Sequence, residues 1–194
     1  DDEVDLLKAI RSEFSSNVLE LRVDANGAFK PKEALKKLNA LSKFHIHSIE
    51  QPIRQSQRKE MAKLCAKTPL PIALDEELIG IFEPLMKAQL LDDIKPQYII
   101  LKPALLGGFA ASDEWIKLAD KRNISWWITS ALESNIGLNA IAQWTYSKKN
   151  SMFQGLGTGQ LFTNNIESPL QIKQAELWLN TNKNWELNNL QFDS

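Results

Sequence analysis

The chain repeats one local plan, and that repetition narrows its fold more than any other feature. A short apolar run ends on a charged residue, a turn follows, and an amphipathic stretch leads to the next run. VDANGAF (23–29) delivers Asp24, HSIEQP (47–52) delivers Glu50, PIALDE (71–76) delivers Asp75 and YIILKP (98–103) delivers Lys102. These four residues fall about 26 positions apart, one strand–helix unit of a parallel α/β architecture. Helical periodicity marks Asp1–Phe14, Pro31–Phe44, Arg58–Lys67, a stretch around Glu83–Leu91, Ala111–Lys121 and Gly137–Tyr146. Two further strands are expected at Ile124–Ile128 and Ser151–Leu156, making six in all.

An open doubly wound sheet and a closed barrel both satisfy strict alternation. In a barrel the functional groups come from the C-terminal ends of many successive strands. Asp24, Glu50, Asp75, Lys102, Ser130 and the glycines after Gln154 all fall there, and no glycine-rich dinucleotide fingerprint follows the first strand. The reading is therefore an α/β chain forming part of a (β/α) barrel over residues 1–162. The segment 163–194 is expected to be helical or irregular and to pack on the barrel.

Composition excludes several classes of function. With 23 basic and 24 acidic residues the formal charge is -1, which provides no footprint for nucleic acid or an anionic membrane. A 43% hydrophobic content is that of an ordinary globular domain, and no apolar run is long enough to span a bilayer. Cys65 stands alone, so no disulfide framework or cysteine metal site arises, and a reducing, cytoplasmic location follows as the expectation.

Carboxylates are hard ligands suited to Mg²⁺, or to Mn²⁺ in its place. Asp24, Glu50 and Asp75 at three neighbouring strand ends would converge on one such ion. Taken singly, each acid reads better as a solvated strand end or a helix cap; the three in register, with a lysine one unit later, read as ligands. Lys102, one unit further on, would sit near that charge and serve acid/base or electrostatic work. His45 and His47 precede the Glu50 strand end and are not expected to be ligands. Trp115, Trp144 and Trp178 are expected on core-facing helical stripes.

VDANGAF, SIEQPI, ALDE, LKPALLGG and TSALESNIGL, in this order and spacing, resemble the barrel domain of the enolase superfamily, in its muconate-lactonizing-enzyme-like subgroup. The resemblance covers roughly residues 1–162. It implies that Asp24, Glu50 and Asp75 bind Mg²⁺, which holds a substrate carboxylate while the proton alpha to it is removed. It further implies that Lys102 stabilises the resulting enediolate by its charge. Asn26, Gly107, Ser130, Glu133, Ser134 and Gly157 would contact the small-molecule carboxylate substrate. The implied reaction is dehydration of a cyclohexadiene carboxylate to o-succinylbenzoate, a step of menaquinone biosynthesis.

The chain also departs from that family. The family's Lys-x-Lys base belongs on a strand before the first helix seen here, and Lys30-Pro31-Lys32 instead opens a helix after the Asp24 strand. The resemblance implies that the first two barrel strands and the N-terminal capping domain lie outside these 194 residues. The 194 residues are thus expected to need a missing N-terminal part, to bind Mg²⁺ weakly and not to turn over alone. Rival readings are an N-acylamino acid racemase, a dipeptide epimerase, disfavoured because Gly157-Thr158-Gly159 replaces that group's Asp-x-Asp, and a non-catalytic binding module.

Overall fold

A computed structural model describes residues 2–186. The elements run α1 (Asp2–Glu13), β1 (Arg22–Asp24), α2 (Pro31–Leu41), β2 (Ser48–Glu50), α3 (Arg58–Lys67), β3 (Ile72–Leu74), α4 (Pro84–Ile94), β4 (Tyr98–Leu101), α5 (Pro103–Leu106), α6 (Gly108–Asp120), β5 (Ser125–Ile128), α7 (Asn135–Ser147), β6 (Leu170–Lys173) and β7 (Glu176–Leu179). The first five strands form one sheet in the order β1-β2-β3-β4-β5. The pairs β1–β2, β2–β3 and β3–β4 are parallel, as alternation with helices demands.

Contacts divide the chain into two compact units, one of residues 1–100 with 113–126 and another of residues 101–112 with 127–194. In the first unit β2, β3 and β4 bury apolar side chains on both faces of the sheet, Ile49, Ile72, Ala73, Leu74, Ile99 and Ile100 among them, whereas the edge strand β1 buries none. Burial on both faces is the mark of a parallel sheet with covered faces. Helix α2 starts at Pro31, whose fixed φ suits the first turn, and turns Ala34 and Leu38 into the core. Helix α3 buries Met61, Leu64 and Cys65. The Cys65 thiol is pushed up to about 12 by burial, which makes it an inert core group. Helix α1 forms as expected yet buries none of its residues, and Leu6 is exposed.

One buried cation escaped the sequence reading. Lys87 lies on the inward face of α4 with no exposure; its ammonium donates to Glu114 Oε2 at 2.8 Å and lies 5.6 Å from the Trp115 ring centre. A buried charge needs such a partner, and the α4 pattern alone gives no sign of one. Arg122 on the chain just after α6 makes a two-pronged pair with Asp92 of α4, both contacts at 2.8 Å.

Strands of three or four residues offer few ladder bonds, and glutamine side chains extend them. Gln97 Oε1 accepts the Ile72 N–H at 2.9 Å while its Nε2 donates to Cys65 O at 3.1 Å. In the second unit Gln154 Oε1 accepts the Ile128 N–H at 2.8 Å, and its Nε2 donates to Met152 O.

Three expectations change in the second unit. Ser151–Leu156 is not a strand: it contributes one parallel bridge, Thr129 to Gly155. Gly155 is confined there, because a Cβ would lie 2.7 Å from Thr129 Cγ2. The expected helical or irregular tail contains an antiparallel hairpin, β6 to β7, with Leu170 opposite Leu179 and Lys173 opposite Glu176. Its turn, Gln174-Ala175, has φ of 49° and 64°, the two positive values that a type I′ turn requires. Trp178 therefore lies on a strand and is 52% exposed rather than on a core-facing helical stripe. Residues 187–194 of the tail lie outside the described residues. Among the described residues no helix is long and apolar enough to cross a membrane.

Candidate metal and substrate site

The first unit carries the three carboxylates. Asp24 and Glu50 are direct register partners across β1 and β2, and Glu50 is the partner of Ala73 on β3. Asp75 follows Ala73 by one pleat period. Parallel neighbours lie about 4.8 Å apart, so Asp24 and Glu50 stand side by side at adjacent strand ends, while Asp75 lies two residues beyond the register partner of Glu50, just past the end of β3. Asp24 is exposed, Glu50 half-buried and Asp75 buried.

The loops beyond these strands are laid against one another. Asp24 Oδ1 accepts the Asn26 N–H at 2.8 Å, closing a local turn with Asn26 and Gly27 at φ 44° and 71°. Gly27 N–H then donates to Gln51 O at 2.7 Å, and Ala25 N–H to Glu50 O at 3.1 Å. A Cβ on Gly27 would sit 2.8 Å from Arg54 Cα, so the approach of the two loops requires glycine. Asp75 has φ −121° and ψ −80°, and a short 3₁₀ turn, Glu76–Leu78, follows it.

Gln51 and Glu77 were not singled out by sequence reasoning, yet both are buried beside these loops. Glu77 Oε1 accepts the Ser56 N–H at 3.1 Å, and its Oε2 accepts from Gln51 Nε2 at 3.3 Å. Burial raises the Glu77 carboxyl above its ordinary value, opposed by those hydrogen bonds and by Arg58. A cavity of about 550 Å³ opens beside it, lined among others by Ser56, Arg58, Glu60, Glu76, Glu77 and Ile79, and by none of the three strand-end carboxylates.

Among the described residues no three Asp, Glu, His or Cys side chains are gathered as they would be around a metal ion. What fits a hard cation is the donor chemistry of three carboxylates at the ends of three neighbouring strands. His45 and His47 stay outside this set. His47 opens the β2 segment, touches Ser48 Oγ at 3.0 Å and packs on the Tyr98 ring at 4.9 Å.

The second unit carries the remaining candidates. Lys102 is half-buried directly after β4 and begins α5, its carbonyl accepting from Leu105 and Leu106. Gly107 ends α5 at φ 90°. Buried Ser130 meets the Thr158 hydroxyl in a close hydrogen bond, and its N–H donates to Gly155 O at 3.1 Å. Thr158 was not among the expected residues. Glu133 Oε2 accepts the Ala131 N–H at 2.8 Å, while its buried Oε1 has no partner among the described residues. Ser134 precedes α7 without capping it through its side chain. At Gly157 the φ is −86° and a Cβ would meet nothing nearer than Ile172 at 3.7 Å, so it is Gly155, not Gly157, whose packing demands glycine.

Residues 1–183 match the family model described as enolase C-terminal domain-like. An o-succinylbenzoate synthase from Desulfotalea psychrophila is 61% identical over 172 residues, covering 89% of this chain and 46% of that protein. The crystal structure of MenC from Desulfotalea psychrophila LSv54 superposes with a TM-score of 0.88 at 60% identity, over 91% of this chain and 49% of that one. An L-amino acid-D/L-Glu epimerase from Francisella philomiragia is 29% identical over 75% of this chain and 40% of its own length. The chain thus spans about half the length of the relatives it matches.

Proposed function

The chain belongs to the enolase C-terminal domain-like family, and on that footing we propose that it is the metal-holding portion of an o-succinylbenzoate synthase acting in the cytoplasm in menaquinone biosynthesis. The observation that supports the reading is that Asp24 and Glu50 are register partners at the ends of adjacent parallel strands and Asp75 directly follows the end of the next one. These residues would hold Mg²⁺, or Mn²⁺. When bound, the ion would draw electron density from a substrate carboxylate and so acidify the carbon-bound proton next to it.

The chain's own residues then have separable roles. Asp75, being buried, holds a fixed charge at the end of β3, while exposed Asp24 is set by its turn with Asn26. Lys102 contributes positive charge toward the carboxylate as negative charge builds on its oxygens, and is not assigned the proton transfer. Glu133 Oε1, buried with no partner among the described residues, is an acceptor offered to a substrate donor, and the Ser130–Thr158 hydroxyl pair contributes hydroxyl groups to a polar substrate arm. In the overall reaction one C–H and one C–OH bond break, a ring double bond forms, and water leaves.

The test is to assay the full-length protein, with Mg²⁺, on the cyclohexadiene carboxylate and on N-succinylamino acids. Formation of o-succinylbenzoate is the expected result. Turnover of the amino acid derivatives alone would replace this reading with racemisation.

A further inference from the structure

We infer that Gln51 is a positioning residue that fixes Glu50 and Asp75 relative to one another. The inference rests on reading these acids as metal ligands. The Gln51 side chain is fully buried and every hydrogen-bonding capacity of its amide is used within the first unit. Oε1 accepts from the Asp75 N–H at 3.2 Å and from the Glu77 N–H at 3.4 Å. Nε2 donates to Ile53 O at 3.0 Å and to Glu77 Oε2 at 3.3 Å. A primary amide has two acceptor lone pairs and two N–H donors, so nothing remains to bind substrate.

Its main chain extends the same tie. Gln51 N–H donates to Ala73 O at 2.9 Å, and its carbonyl accepts from Gly27 N–H at 2.7 Å. One residue therefore grips the loop after Asp24, the strand end of Glu50 and the backbone of Asp75. The backbone of Gln51 itself sits at φ 34°, in the left-handed region, a conformation that persists in a side-chain-bearing residue only where its surroundings over-determine it. A fully satisfied amide at this junction accounts for that determination. It also holds Asp75 in a backbone conformation belonging to neither strand nor helix.

A merely structural role predicts lost stability and nothing else. A positioning role predicts weaker cation binding as well. The experiment is calorimetric titration of the full-length protein with Mg²⁺ alone, without substrate, for wild type, Gln51→Met, Asp75→Asn and the remote core variant Leu64→Ala. Gln51→Met keeps the volume and removes the hydrogen bonds, and is expected to weaken Mg²⁺ about 10- to 100-fold, the range for groups that orient metal ligands. Leu64→Ala is expected to lower Tm with Mg²⁺ affinity unchanged, and Asp75→Asn to lose Mg²⁺ binding. If Asp75→Asn loses the ion while Gln51→Met binds it as wild type does, the inference is overturned and the ligand reading survives. If wild type and Asp75→Asn bind alike, the ligand reading falls and this inference with it. Should Gln51→Met not fold, Glu77→Gln removes one acceptor at the same junction. It is expected to weaken Mg²⁺ about threefold, the size of one hydrogen bond, and unchanged affinity there overturns the inference.

Discussion

At the scale of single residues, Gly27 separates backbone demand from side-chain demand. Alanine there needs a left-handed conformation and puts a Cβ against Arg54 Cα, a backbone atom with no easy retreat. Gly27→Ala is expected to cost about 2 kcal/mol or more, lowering Tm by roughly 4–8 °C in thermal unfolding followed by circular dichroism. His47 gives a pH-dependent test. Burial lowers its pKa below the ordinary histidine value, with Glu20 opposing and Arg22 adding to the shift. The folded state thus prefers the neutral ring, so His47 lets stability fall as pH drops below about 6.5, the unfolded value, toward the lower folded one. His47→Phe is expected to flatten that part of a urea midpoint-versus-pH curve, and an unchanged slope counts against it. The placement of Asp24, Glu50, Asp75 and Lys102 at or just past strand ends was legible in the sequence because each ends an apolar run at a regular interval. Gln51, Glu77 and Lys87 were not, since their burial depends on neighbours distant along the chain and an isolated amide or charge reads as surface.

At the scale of elements, the helices were readable because long amphipathic periods and flanking prolines such as Pro31 and Pro84 locate them. The hairpin was not, because the run Leu177-Trp178-Leu179 hides the alternation of β7 and no Asn-Gly marks the turn. The turn geometry now supplies what the letters lacked. Replacing Gln174-Ala175 by Asn-Gly, residues that accept positive φ readily, is expected to stabilise the hairpin by about 0.5–1 kcal/mol, visible as slower amide exchange over 170–179. Exchange unaltered in that segment would contradict the turn assignment. The sixth expected strand failed for the opposite reason: SMFQGL has the composition of a strand, but only Gly155 among its residues makes a bridge.

At the scale of the molecule, metal dependence is the most direct test of the proposed chemistry. Treating the full-length protein with EDTA is expected to abolish o-succinylbenzoate formation, with recovery on adding Mg²⁺ or Mn²⁺, because no other group assigned to the site supplies equivalent positive charge. Activity that survives exhaustive chelation would exclude the ion from the reaction. Large apolar side chains are exposed in both units, among them Val18, Leu85, Tyr146 and Phe153, each at least 70% accessible. The 194-residue chain by itself is therefore expected to bind a hydrophobic dye and to sediment as species larger than a monomer. The three glutamines beside the strands have a further consequence. Gln51, Gln97 and Gln154 each show a carbonyl oxygen to a backbone N–H and an NH₂ to a backbone carbonyl. Turning any one amide over would set donor against donor and acceptor against acceptor. Each of these amides is thus keyed to a single orientation, and the segments beside the strands are locked by side chains that take no part in the chemistry proposed for the carboxylates.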